Sequence, residues 1–292
     1  MRVAVTGARG GVGKFVVQNL LDHGYPVRAL TRGPWPACPG EAERIEGVDI
    51  TDFDRLMEVF AGCDAIIHLA NVPGDSGPDR PETFVNNMTG NYNVMLAAGL
   101  LGIEKLIIAS SVCAMGKTYG HRFPAPDYFP LDEEHPPRPD DGYGISKYLS
   151  ELMAERMFQR FPFMAIVSLR ITWVIDPAHM RSVMEDPDCK TVERIDGNFG
   201  SYLDSRDCAE AFRLALEGAT PGAEFYYVLN DEVFVTSSVH DYLKQYYPDV
   251  PLKQPIPEGQ ALESAQRFKK RFGWRAQHNW HEEYARLYGQ QA

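Results

Sequence analysis

The feature that most limits what this chain can become lies within its first 31 residues. Met1 to Thr6 is a short apolar run of strand type, and it passes into Gly7-Ala8-Arg9-Gly10-Gly11-Val12-Gly13. Lys14 to His23 then carries Phe15, Val16, Leu20 and Leu21 at the 3,4 spacing of a helix face. Gly24 closes that helix, and Val27 to Thr31 reads as a second strand. A strand, a glycine-rich turn, a helix and a second strand make half of a nucleotide-binding unit. One glycine permits the tight turn, one lets the backbone approach a pyrophosphate, and one allows the helix to pack close to the strand. The phosphates then sit at the positive end of the helix.

The rest of the chain is long enough to build on that start. Its 292 residues, 44% hydrophobic and 24% charged, suit one large domain or a domain with a smaller appendage. The net charge of -11 argues against nucleic acid or an anionic membrane as partner. A small anionic substrate stays open, because a pocket can be locally basic. Cys38, Cys63, Cys113, Cys189 and Cys208 are scattered without CxxC spacing. They read as free thiols of a reducing cytosol and give no zinc site. The chain starts directly on a strand pattern with no signal peptide, and no apolar run approaches the roughly 18 residues that span a bilayer. The expectation is a soluble, cytoplasmic protein.

Strands and helices continue to alternate. Gly33 to Gly47 reads as loop, Val48-Asp49-Ile50 as a short strand, and Asp52 to Phe60 as a helix. Ala65 to Asn71 is a buried strand ending in small polar residues, and its His68 reads as a core histidine. Thr83 to Leu101 is a long helix. Lys105 to Ala109 is a strand that delivers Ser110 and Ser111 at its C-terminal end, where ligands sit in open parallel sheets. Asp132-Glu133-Glu134 reads as a solvated loop edge, and Asp186 to Asp196 as a polar flap. Asp207 reads as a helix N-cap. A helix from Tyr143 to about Phe161 puts Tyr143 and Lys147 one above the other on one face. A free tyrosine titrates near pH 10, and a neighbouring cation favours its ionised form. Taken alone, the pair reads more readily as two surface residues of an ordinary amphipathic helix.

Order and spacing decide between those readings. Thr6-Gly7-x-x-Gly10-x-x-Gly13, Asn87-x-x-Gly90-x-x-Asn93, Ser111 and Tyr143-x-x-x-Lys147 follow one another as in the extended short-chain dehydrogenase/reductases. The chain resembles that family, in its epimerase/dehydratase group, over about residues 1 to 230. The resemblance implies an α/β fold, a Rossmann-like doubly wound parallel sheet with a small C-terminal substrate-binding region. The NAD(P)-binding domain would comprise 1–170, with 201–223 returning to it. The substrate region would comprise 171–200 and 224–292.

The resemblance also implies roles. Tyr143 would be the general acid/base, Lys147 its cation and ribose ligand, and Ser111 the group that orients the substrate oxygen. Asn87 would link the lysine to the backbone through water. NAD or NADP would lie against Gly7, Arg9, Gly10, Gly11, Val12, Gly13, Arg32, Asp49, Ile50, Leu69, Ala70 and Asn71, besides Tyr143 and Lys147. Many relatives of this fold end the second strand on an acid that grips the adenosine ribose. Thr31 and Arg32 stand there instead, with Arg9 nearby, and guanidinium groups suit the 2′-phosphate of NADP. Cys113, Thr172, Trp173 and Arg181 are the candidates for substrate contact.

The implied activity is hydride transfer between nicotinamide and a secondary alcohol or carbonyl of a small sugar-like or sugar-acid substrate. The rivals are a sugar 4-epimerase and a non-catalytic NAD(P)-sensing protein. Val112 and Cys113 stand where a dehydratase of this group has Asp-Glu, which disfavours dehydration. Trp173 replaces the asparagine common in nucleotide-sugar enzymes. A homodimer through helices like 83–101 and 147–161 is a further implication.

Overall fold

Val3–Thr6 (β1) is apolar on both faces, so it can sit only where both are covered. The computed structural model, which describes residues 1–185, 197–235 and 237–289, places it inside a seven-stranded parallel sheet. On one side Val3 pairs with Val27 of β2 (Val27–Leu30), and on the other with Ala65 of β4 (Ala65–His68). The chain runs outward from β1 through β2 to β3 (Glu43–Ile45). It then crosses back to β4, β5 (Lys105–Ser111), β6 (Ala165–Ile171) and β9 (Gly222–Val228). That reversal between β1 and β4 is the switch point at which open α/β sheets bind ligands.

Helices cover both faces. Val3 and Val5 point toward Val16, Val17 and Leu20 of α1 (Gly13–Asp22) and Phe212 of α6 (Ser205–Gly218). Ala4 points toward Leu56 of α2 (Phe53–Phe60), Val94 of α3 (Pro81–Leu100) and Met157 of α4 (Gly142–Arg160). Two layers around a doubly covered sheet is the architecture expected of the alternating pattern. A smaller lobe holds a separate parallel pair, β7 (Trp173–Ile175) with β8 (Tyr202–Asp204), and the helix α5 (Pro177–Glu185). Its rings Tyr202, Phe234 and Trp280 make their own apolar cluster. The later helices are α7 (Val239–Tyr246), α8 (Gln266–Phe272) and α9 (Trp280–Tyr288). No helix among the described residues is long and apolar enough to cross a membrane.

Several local expectations need correction. The short strand is Glu43–Ile45, inside the segment read as loop, and Val48 to Ile50 is a turn. The strand has little apolar signal because it is an exposed sheet edge. The turn forms because Asp49 Oδ1 captures the N–H and hydroxyl of Thr51 at 2.9 and 2.7 Å. β9 extends the main sheet past the boundary expected at residue 223, since Tyr227 pairs with Arg170 of β6. The cap of α6 is Asp204, which accepts from Arg206 N–H. Asp207 instead accepts from Gln277 N–H and His278 N–H, tying the C-terminal segment down. Glu133 is no solvated edge, because Oε1 accepts from Tyr227 N–H at 3.0 Å and burial raises its pKa. The Asp186 to Asp196 segment lies outside the described residues.

Candidate active site

Helix α4 starts at Gly142 because Asp141 caps it, accepting from Gly144 N–H at 2.7 Å. Tyr143 therefore enters the first turn and Lys147 follows one turn later. Lys147 is only 3% exposed, and its Nζ lies 5.4 Å from the centroid of the Tyr143 ring. The ammonium donates to Ala109 O of β5 at 2.7 Å. Burial pushes its pKa down to about 8, against the weaker upward pull of Cys113 and Glu151. It still carries most of its charge at neutral pH, beside a phenol. Tyr119 meets the Tyr143 ring edge-on at 5.9 Å.

Ser111 closes β5, and its Oγ accepts from Cys113 N–H at 3.1 Å. Ser111, Tyr143 and Lys147 line one cavity of about 580 Å³, together with Cys113, Thr172 and Trp173. Val12, Leu69 and Asn71 line it too. Trp173 packs edge-on against Phe234 at 5.8 Å. Burial pushes the Cys113 thiol upward, away from thiolate chemistry.

A second cavity, of about 440 Å³, is lined by Gly7, Arg32, Asp49, Ile50, Ala70 and Asn71 among others. Gly7 has φ +67°, and a Cβ there would stand 2.8 Å from Ala70 N. At Gly13 a Cβ would stand 2.2 Å from Gly7 O, so the helix start and the turn must touch. Asn71 borders both cavities, and its buried Oδ1 has no hydrogen-bond partner among the described residues. An orphaned acceptor between two cavities, with a tight glycine turn beside them, fits an extended dinucleotide. The residues present thus suit NAD or NADP.

Of the residues expected at the site, Arg9, Gly10, Gly11, Gly13 and Arg181 line neither cavity. Asn87 spends its amide on the Val72 main chain, accepting from N–H at 2.8 Å and donating to O at 3.0 Å. It fixes the loop beside the cofactor cavity. Arg9 donates to Pro34 O at 2.7 Å and does not line either cavity. Arg181, half exposed, faces Glu283 at 4.0 Å and is outside the cavity. Asp49 sits in the second cavity with its carboxyl held below the usual range by Thr51 and, more weakly, by Arg32.

The sequence reading missed what lies beneath these groups. Arg170 and Glu151 form a buried bidentate pair at 2.9 and 2.7 Å, and Ser110 Oγ donates to the same Glu151 at 2.6 Å. A charge ending an apolar strand was the available signal. His68 is a core histidine, accepted as such, bridging Thr6 and Asn91 at 2.7 and 2.8 Å. Its burial lowers its pKa to about 4, so it stays neutral. Tyr119 and Asn198 also line the first cavity and had no local signature.

Comparisons with known proteins place the chain in a family. The NAD dependent epimerase/dehydratase family matches residues 3–226. An L-arabinose 1-dehydrogenase (NAD(P)(+)) of Haloferax volcanii is 32% identical over 75% of this chain and 84% of its own. A uronate dehydrogenase of Pseudomonas syringae pv. tomato is 30% identical over 58% of each chain. Among solved structures, the UDP-glucose 4-epimerase of Bifidobacterium longum in complex with NAD+ and UDP superposes with a TM-score of 0.73. That likeness covers 96% of this chain and 95% of the other at 21% identity, and it speaks for the fold.

Proposed function

The chain belongs to the NAD dependent epimerase/dehydratase family, and from that premise we propose an NAD(P)-dependent oxidoreductase acting on a small sugar or sugar acid. The observation that carries the reading is Lys147, buried one helical turn from Tyr143 in a cavity that Ser111 also lines. The cofactor, when bound, supplies the hydride acceptor or donor. Gly7 and Asn71 would hold it on the side of Arg32, and Val12 and Leu69 on the side of Tyr143.

The Tyr143 phenolate takes the substrate hydroxyl proton in oxidation, and the phenol so formed gives it back in reduction. The Lys147 charge favours the phenolate and so brings the proton transfer nearer neutral pH. The Ser111 hydroxyl orients the reacting oxygen. Trp173 and Tyr119 form an apolar wall that sets the size of what can enter. Arg32, inside the cofactor cavity, favours NADP over NAD. The acidic chain and its unpaired Cys38, Cys63, Cys113 and Cys208 suit a cytoplasmic protein. Val85 and Tyr92 of α3 and Leu152 of α4, all exposed, are where a second copy would pack.

The test is a panel of L-arabinose, hexuronates and simple secondary alcohols with NAD and NADP, followed by absorbance of the reduced nicotinamide. We expect turnover of at least one sugar or sugar acid, faster with NADP, and a loss of at least 100-fold in Tyr143→Phe. Turnover within a fewfold of the parent in that variant sinks the mechanism. Tightly held NAD with no net reduction identifies a 4-epimerase instead.

A further inference from the structure

Glu263 comes from the last tenth of the chain, yet it reaches the heart of the molecule. It is 5% exposed. Leu131 N–H donates to Leu262 O, and Ser264 N–H donates to Leu131 O, both at 2.8 Å, so its backbone is clamped on either side. Its carboxylate accepts from Ser201 Oγ at 2.5 Å. The charged and titratable groups that bear on it are Arg170 of β6 and Tyr227 of β9. Burial raises its pKa to about 7, opposed by Ser201 and Arg170. A buried carboxyl is costly unless it is hydrogen-bonded and paired.

Ser201 is the link to the cavity. Its carbonyl accepts from Asn198 Nδ2 at 2.8 Å and from Thr172 Oγ1 at 3.2 Å. Asn198 and Thr172 both line the cavity that holds Ser111 and Tyr143. The turn between Asn198 and Ser201 is strained, since Phe199 has φ +56° and is not glycine. Such a residue persists only where its surroundings over-determine it. Here the Phe199 ring is buried against Phe129 at 5.5 Å, and Phe234 N–H donates to Gly200 O at 2.8 Å. Glu263 supplies the hold at the Ser201 end.

We propose that Glu263 is a positioning residue for the substrate side of the site, acting through Ser201 on Thr172 and Asn198. This rests on the functional reading above, in which that cavity receives the carbon substrate. Glu263 touches neither substrate nor cofactor. It sets the wall against which the substrate lies, and leaves the proton-transfer group Tyr143 where it is.

The experiment compares Ser201→Ala, Glu263→Ala and Glu263→Gln with the parent, using the best-oxidised member of the panel. Ser201→Ala and Glu263→Ala should raise KM tenfold or more, with kcat within about threefold and the NADP dissociation constant within about twofold. Glu263→Gln, which keeps an acceptor for Ser201, should bring KM back to within about threefold of the parent. Unchanged KM in folded variants, or KM and cofactor affinity worsening together, overturns the proposal. Should Glu263→Ala not fold, Ser201→Ala, which deletes one hydroxyl, carries the test. Amide hydrogen exchange supplies a readout free of activity. Residues 198–203 should exchange at least tenfold faster in Ser201→Ala while α4 and β5 keep parental rates. No change at 198–203 also overturns the proposal. If the parent oxidises nothing in the panel, the functional reading falls, and the exchange experiment still decides the anchoring.

Discussion

In the proposed mechanism Lys147 serves chemistry at the expense of stability. Its pKa of about 8 lies below the ordinary 10.5 because the ammonium is sealed from water. A depressed lysine pKa means a contribution to stability that is whole above the unfolded value and is lost as pH falls through the folded one. Near pH 7 the charge therefore costs folding about 3 kcal/mol. Lys147→Met should abolish measurable turnover and yet unfold at no lower denaturant concentration than the parent at pH 7. The parent should then gain on the variant as pH rises from 8 toward 10.5, which denaturation at pH 7.5, 8.5 and 9.5 will show. A gap that does not change with pH counts against a buried charge. That Tyr143, Lys147 and Ser111 come together in one cavity was legible in the sequence, because their signature is local or ordered along the chain. The bonds of Asn87 to the Val72 main chain were not legible, since the side-chain rotamer that reaches Val72 leaves no trace in a sequence. Arg170 with Glu151, and Ser201 with Glu263, are joined across 19 and 62 residues. Nothing in the spacing announces either pair.

At the level of elements, the first strand, turn and helix were readable because period and glycine placement agree there. The turn also gives a direct test. An alanine at Gly7 meets Ala70 N at 2.8 Å and must hold φ near +67°. The clash involves backbone on both sides, so no side chain can swing away. Gly7→Ala should lose about 2 kcal/mol of stability and at least tenfold in cofactor affinity, measured by denaturation and by NADP titration. Affinity equal to the parent's disproves the role given to the turn. The third strand, by contrast, was illegible. Glu43, Arg44 and Ile45 have two exposed side chains among three, and their pairing with β2 is decided by the main chain. The helix cap at residue 204 was misread by three positions because Asp204 and Asp207 are equally good caps in sequence. The tertiary demand of Gln277 and His278 took one of them.

For the molecule as a whole, that diversion of Asp207 matters. Its carboxylate receives Gln277 N–H at 3.0 Å, His278 N–H at 2.9 Å and His278 Nδ1 at 2.8 Å, and Trp274 Nε1 donates to Asp207 O. The last 20 described residues are thereby fastened to the helix that backs the sheet. Asp207→Ala should lower global stability by about 3 kcal/mol. Limited proteolysis should cut first beyond residue 270, and a parental digestion pattern speaks against the clasp. The parallel sheet could be foreseen from the alternation of elements, but the return of the C-terminal segment could not, because it depends on such single bonds. The two cavities meet at Asn71, and this has a consequence for how such a chain can diversify. Everything on the Arg32 side comes from β1 to α3, and the Trp173 side draws on segments after α4. New clients could be acquired by rewriting residues 172–174 and 197–198 alone, with the redox machinery inherited unaltered.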